Sequence, residues 1–186
     1  RGKNINKIYL VLHYKAKLIK KHVLTNFPDL KDNFEFIVEK KPLDTAGGLK
    51  LIDPKKSSKT YMLINSDIIT NINFEDFYNF YKKNNADLAA CTTKSKFTIP
   101  FGVLQTRNKK IKYITEKPIF NFWINSGIYF LNQSIIKLIK KNEKISAVEL
   151  MKRSIKKNRK IIYYPIYENW IDIGSHTDLI KAKNNF

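Results

Sequence analysis

The chain of 186 residues has one cysteine, three histidines, six glycines and only four arginines. A single cysteine, Cys91, excludes an internal disulfide framework and fits a reducing cytoplasm, which is the expected location. Its apolar setting, "ADLAACTT", marks it as a buried core thiol rather than a nucleophile. His13, His22 and His176 lack metal-ligand spacing and are given no chemistry. No apolar run approaches the roughly 20 residues that span a bilayer, and none at the N-terminus resembles a signal peptide. No membrane partner is expected. The shortage of arginine matters most, because the formal net charge is +19. Such a charge ordinarily suggests nucleic acid. However, 31 of the 35 basic residues are lysine, whereas base-edge readout favours the arginine fork. Asn and Ile are also abundant, as an AT-rich genome would produce. Much of the charge therefore reads as compositional drift on solvated faces, and no nucleic-acid partner is expected. The surplus would still attract phosphorylated small molecules.

What is present is a 43% hydrophobic chain, enough for one domain with a full core. Strand-like "KIYLVLHY" (7–14), "FEFIVE" (34–39), "TYMLIN" (60–65) and "ADLAACTT" (86–93) alternate with helix-like segments. The first of these, "AKLIKKHVLTN" (16–26), sets Leu18, Ile19 and Val23 on one face. The next two are a short one opened by "TAGGLKLI" (45–52) and "FEDFYNFYKKNN" (74–85). Further on, "FGVLQT", the turn "RNKK" and "IKYITEK" predict a hairpin. It is followed by the strand "WINSGIYFL" (123–131), helices near 133–141 and 147–157, strands at 160–166 and 169–174, and a last helix from about Ser175. Strands separated by helices predict an α/β fold with a Rossmann-like, mixed, mainly parallel sheet flanked by helices. A single domain over residues 1–186 is expected.

Ligands of open α/β sheets bind beyond the carboxyl ends of the strands. Asp67 follows "YMLINS" at such an end, and Asp172 sits in "NWIDIG" in a similar apolar run. Two such acids meeting across one crevice would hold Mg²⁺ through oxygen ligands; the bland alternative for each is a strand-end cap. In "PLDTAGGL", Gly47 and Gly48 stand at a loop-to-helix junction where backbone can approach a flat ligand, or simply start a helix. Gly102 lies inside the strand-like "PFGVL", which suggests a bulge or a close ligand approach. Glu116 and Lys117 end a strand in "TEKP", and Asn125 and Gly127 interrupt the apolar "INSGIY".

Taken in order, "PLDTAGGL", "NSD", "FGVL", "EKP", "NSGIY" and "WIDIG" resemble the motif series of the sugar-phosphate nucleotidyltransferases. The resemblance runs over nearly the whole chain. It looks most like the branch of hexose- and heptose-1-phosphate guanylyltransferases, including glucosamine-1-phosphate enzymes that serve cell-surface polysaccharides. It implies transfer of a nucleoside monophosphate from an NTP, GTP in this branch, to a sugar 1-phosphate, with release of pyrophosphate. It further implies that Asp67 and Asp172 ligate Mg²⁺ as catalytic residues with Lys117. Leu43, Thr45, Ala46 and Gly47 would line the nucleobase pocket. Gly102, Glu116 and Asn125 would contact the sugar, and Lys117 its phosphate. The alternatives are a relative that binds nucleotide or sugar phosphate without turnover and, less well supported, a basic nucleic-acid-binding protein.

Two departures from the family pattern carry expectations of their own. The family opens with a strand, a glycine-rich loop of the form GGxGTRL and a lysine in PKP, whereas "RGKNINKIYLVLHY" matches its second strand. One βα unit would then be missing, leaving an open groove in the sheet. The missing segment, a second copy of the chain, or a remodelled edge would complete it. Asp44 stands where the family has glycine, and aspartate tolerates a left-handed backbone better than most residues.

Overall fold

The computed structural model describes residues 5, 7–53 and 59–185, without the side chains of 176, 181, 184 and 185; the opening "RGKN" lies outside the described residues. In chain order the first half runs β1 (Ile8–Leu12), α1 (Ala16–Asn26), β2 (Phe34–Val38), α2 (Asp44–Gly47), β3 (Thr60–Ile64), β4 (Ile68–Thr70), α3 (Phe74–Lys83) and β5 (Leu88–Thr98). The second half continues with β6 (Val103–Arg107), β7 (Lys110–Thr115), β8 (Ile119–Asn132), α4 (Gln133–Ile136), α5 (Ala147–Lys156), β9 (Ile161–Pro165), β10 (Trp170–Asp172) and α6 (His176–Asn185). Short 3₁₀ turns cover Pro28–Asn33 and Gly48–Leu51. This is the mixed α/β architecture expected: a four-stranded sheet ordered β3-β8-β5-β9, with the pairs β1-β2, β10-β4 and β6-β7. β1 and β2 are parallel, whereas β3-β8, β10-β4 and β6-β7 are antiparallel.

The chain divides into two compact units. Unit 1 comprises Arg1–Ser66, Asn73–Ala90 and Gly127–Ile162; unit 2 comprises Asp67–Ile72, Cys91–Ser126 and Tyr163–Phe186. The main apolar cluster belongs to unit 1, where Leu88, Ala90, Tyr129 and Leu131 of the sheet pack against Ile135, Ile139, Ile145 and Leu150. Two helices of this unit start where their capping residues dictate. Asn73 accepts hydrogen bonds from the Glu75 and Asp76 N–H groups, with acids in the first turn of α3 and lysines in its last. Its Phe77 and Tyr81 are buried against Phe130, the ring centroids lying 4.8 and 5.7 Å away. Ser146 caps α5, its hydroxyl oxygen accepting from the Glu149 N–H.

Two expected elements differ. The helix near 133–141 ends at Ile136, and the following turn is held by Glu143. The Glu143 carboxylate accepts the Lys140 N–H at 2.8 Å and pairs with both arms of the Arg153 guanidinium at 2.6 and 2.9 Å. Helix α1 forms over the expected residues, but none of them is buried, and Leu18 is 61% exposed. In its apolar stripe Leu18 and Ile19 are exposed and Val23 is half-buried.

In unit 2 the predicted hairpin is β6-β7, closed by Asn108 and Lys109, both with positive φ, the twist favoured in two-residue hairpin turns. β8 is exposed from Ile119 to Asn125 and buried from Ser126 to Leu131. β10 and β4 form a short ladder in which Asp172 lies opposite Ile68.

Candidate active site

The apolar strand β3 stops at Ile64, so Asp67 stands outside it, exposed, in the turn that leads into β4. The Ile173 N–H donates to the Asp67 carbonyl at 2.8 Å, and Asp172 ends β10 one step before Ile173. The two aspartates therefore occupy adjacent segments of unit 2, both exposed, and neither carries a burial penalty. Among the described residues no cluster of three or more His, Cys, Asp or Glu forms a metal site. The aspartate pair suits Mg²⁺, which is held by one or two carboxylates and completes its shell with phosphate oxygens and water.

Gly102, Glu116 and Lys117 also meet in unit 2. A Cβ at Gly102 would come within 3.0 Å of Glu116 Oε2, so the glycine leaves room for that carboxylate. The Lys117 N–H donates to the Phe101 carbonyl at 3.3 Å. Lys117 itself has φ +45° and precedes Pro118, a pairing of left-handed backbone with a pre-proline position that few residues adopt. Backbone strain of this kind accumulates at working sites. Asn125 is exposed on β8 of the same unit. The neighbouring glycine has a structural reason: Gly127 has φ +72°, and a Cβ there would lie 2.9 Å from the Asn65 amide.

The predicted nucleotide loop lies in unit 1. Asp44 has φ +65°, the left-handed conformation expected where the family has glycine, and its Oδ1 accepts the Thr45 N–H at 2.7 Å. Leu43 and Ala46 are buried, and Thr45 is exposed. The Ala46 N–H donates to Ile145 O, the Ile145 N–H to Leu43 O, and the Ala147 N–H to Thr45 Oγ1. A Cβ on Gly47 would lie 2.5 Å from the Glu143 carbonyl, so this glycine is needed for packing as well as for any ligand. Arg153 thus anchors, through Glu143, the segment on which the loop rests. The same guanidinium, followed by the Lys140 N–H, holds the Glu143 carboxyl down to about 2.

Sequence reasoning missed Glu39. It is 9% exposed; its Oε2 accepts the Leu43 N–H at 3.3 Å, while Oε1 is buried with no hydrogen-bond partner. An acid four residues ahead of "LDTAGG" was the available signal. Cys91 is fully buried as expected, and burial, followed by the nearby Glu168, pushes its thiol up, which removes it as a nucleophile.

Comparison with known proteins identifies the family. The nucleotidyl transferase family profile matches residues 1–186, and the chain belongs to that family. A mannose-1-phosphate guanyltransferase of Yarrowia lipolytica is 32% identical over 164 residues, covering 81% of this chain and 43% of the relative. Its counterpart in Gibberella zeae is 28% identical, covering 96% and 50%. The chain thus spans about half the length of the curated relatives it matches. Among solved structures, HddC from Yersinia pseudotuberculosis superposes with TM-score 0.72 at 25% identity, covering 96% of this chain and 78% of that one. A putative glucose-1-phosphate thymidylyltransferase from Bacillus anthracis, at 17% identity and TM-score 0.70 over 96% of this chain and 75% of that one, shares the fold.

Proposed function

We propose that this chain serves a sugar-1-phosphate nucleotidyltransferase, with GTP as the nucleotide. The observation that carries the reading is the pair of aspartates on adjacent segments, with Glu116 and Lys117 in the same unit. The choice of guanine rests on the mannose-1-phosphate guanyltransferases it is similar to. A phosphate oxygen of the sugar 1-phosphate attacks the α-phosphorus of GTP. The bond to the bridging oxygen breaks, and pyrophosphate leaves with the electron pair. No protein nucleophile is needed, so the protein's part is in-line positioning and charge compensation.

Asp67 and Asp172 would hold Mg²⁺, which supplies positive charge to the phosphates. Lys117, on its constrained backbone, pairs with the sugar phosphate. Glu116, over Gly102, accepts sugar hydroxyls, and Asn125 adds an amide. The backbone of Leu43, Thr45, Ala46 and Gly47 presents its remaining polar groups to the base. The product class suits glycan assembly in the cytoplasm, consistent with the free thiol of Cys91.

In unit 1, β1 pairs only with β2, and β3 only with β8, among the described residues. Yet Tyr9 of β1 and Leu63 of β3 pack against one apolar cluster. Val11, Val38 and Ile64 are exposed, and Glu39 Oε1 lacks a donor. These features support a further strand between β1 and β3, of the kind that opens the family fold, whose backbone N–H would reach Glu39. Turnover would then require that segment.

The test is pyrophosphate release from GTP and a hexose 1-phosphate, with and without a family βα unit joined ahead of Arg1. Activity only in the extended chain, lost with Asp172→Asn, is the expected result. Full turnover by the 186 residues alone would overturn the need for the extra strand. Activity untouched by Asp172→Asn would overturn the metal assignment.

A further inference from the structure

A cavity of about 270 Å³ opens at the start of β3, the end opposite the turn that carries Asp67. Its lining includes Lys59, Thr60, Tyr81, Lys82, Asn85 and Asn132, all in unit 1. The four steps of β3 from Thr60 set it roughly 13 Å along the strand from Ile64. None of these residues has a role in the chemistry above.

We propose that this cavity binds a phosphate-type oxyanion. Lys59 and Lys82 border it, and neither has a carboxylate partner among the described residues, whose ion pairs are Lys152–Glu149 and Arg153–Glu143. The acid at its edge, Asp87, is already engaged. Its Oδ1 accepts from Asn132 Nδ2 at 2.9 Å and Ser134 Oγ at 3.1 Å, and its Oδ2 from the Lys160 N–H at 3.0 Å. Asn132 is spent in turn, its Oδ1 capping α4. The Tyr81 hydroxyl is bonded to the Thr60 side chain.

What remains open is two ammonium groups and the exposed side chain of Asn85, whose backbone is left-handed at φ +47°. Lys82 shares the last turn of α3 with Lys83, and Lys160 Nζ donates to the Asn84 carbonyl, so three cations face the negative end of this one helix. Lysine binds phosphate as a point charge, and two of them around one small cavity suit a compact dianion. The volume falls below the roughly 300–1,000 Å³ of sites that enclose whole drug-sized ligands. The occupant is therefore free phosphate or pyrophosphate, or the diphosphate end of a larger metabolite.

Calorimetric titration of the Lys117→Ala chain with phosphate, pyrophosphate and GDP at about physiological ionic strength tests this, because the proposed sugar-phosphate lysine is then absent. Pyrophosphate should bind. The further pair Lys59→Ala and Lys82→Ala should weaken it by about tenfold or more, as for loss of two charge-assisted contacts. The pair Lys20→Ala and Lys31→Ala, remote surface lysines, should leave it unchanged. Equal loss in both double variants would mean diffuse attraction to a basic surface and overturn the site. GDP binding more tightly than pyrophosphate would assign the diphosphate end of a nucleotide, and the reverse order the free anion. Independently of any variant, titration of the unaltered chain should shift the Asn85 and Tyr81 resonances, and their silence would overturn the proposal.

Discussion

Unit 1 and unit 2 share strands but not surroundings. β8 illustrates this best: Ser126 through Leu131 are buried, whereas Ile119 through Asn125 are exposed. β5 behaves alike, buried from Leu88 to Thr92 and mostly exposed beyond. In unit 1 the strands fill a core from both faces and read as continuous apolar runs. In unit 2 the same strands carry Asn125, and the hairpin leads to Glu116 and Lys117 at its end. The difference separates two demands on one sheet. Burial supplies rigidity, and exposure leaves the proposed site residues open to solvent.

The comparison breaks most sharply if an exposed residue of unit 2 controls both stability and function. Asp67→Asn should lower magnesium-dependent turnover of the extended chain by about three orders of magnitude, the scale of losing a charge-stabilising group. Its thermal midpoint should stay within about 1 °C, a change of only a few tenths of a kcal/mol. A large drop in melting temperature with intact kinetics would reverse the assignment of roles. Next in size, Leu150→Ala in unit 1 should cost about 3 kcal/mol, the usual range for an enclosed leucine. Ile111→Ala in β7, 56% exposed, should stay within about 0.5 kcal/mol. Denaturant titration of the two variants side by side measures the contrast, and equal costs would show that the hairpin is a second core.

Asp44 sharpens the picture at the loop. Asp44→Ala should destabilise by about 1 kcal/mol, because alanine has neither glycine's freedom nor the carboxylate that accepts the Thr45 N–H. Asp44→Gly should be close to neutral, and equal loss in both would mean that the carboxylate rather than the backbone angle matters. The smallest effect concerns Glu143. Its folded carboxyl is held near 2 by Arg153, below the roughly 4.3 of an unfolded chain. The pairing therefore adds stability above about pH 4.3, and that share is lost as pH falls toward 2. In Glu143→Gln, acid unfolding between those values should show a shallower pH dependence. An unchanged slope would dismiss the clamp.

Much of this was legible because local chemistry settles it. The helices expected at 74–85 and 147–157 form, Asn108 and Lys109 sit in the expected hairpin turn, and Asp44 takes the left-handed turn expected of a glycine stand-in. The parts that were not legible depend on partners distant in the chain. The stripe Leu18, Ile19 and Val23 announces an apolar face, but periodicity cannot say whether anything covers it. Helix α4 stops early because Glu143, seven residues beyond its end, draws the chain into a turn. Gly47 read as either a ligand approach or a helix start, and the Glu143 carbonyl crowding the space a side chain would take adds a packing reason that sequence could not show. Glu39 was overlooked because a lone acid after a strand resembles any surface carboxylate.

The scarcity of ion pairs among the described residues has a kinetic side. With lysines in such excess and so few neutralised by contact, the molecule presents a broad positive potential to its surroundings. A polyanion approaching from any direction is drawn in before it touches a specific group, and association accelerates by about 10-fold or more at low salt. At about 0.15 M salt the field reaches only about 8 Å, so this advantage fades over the distances between neighbouring side chains. In the proposed reaction, capture of GTP should therefore slow as salt rises, even where the bound state is unaltered.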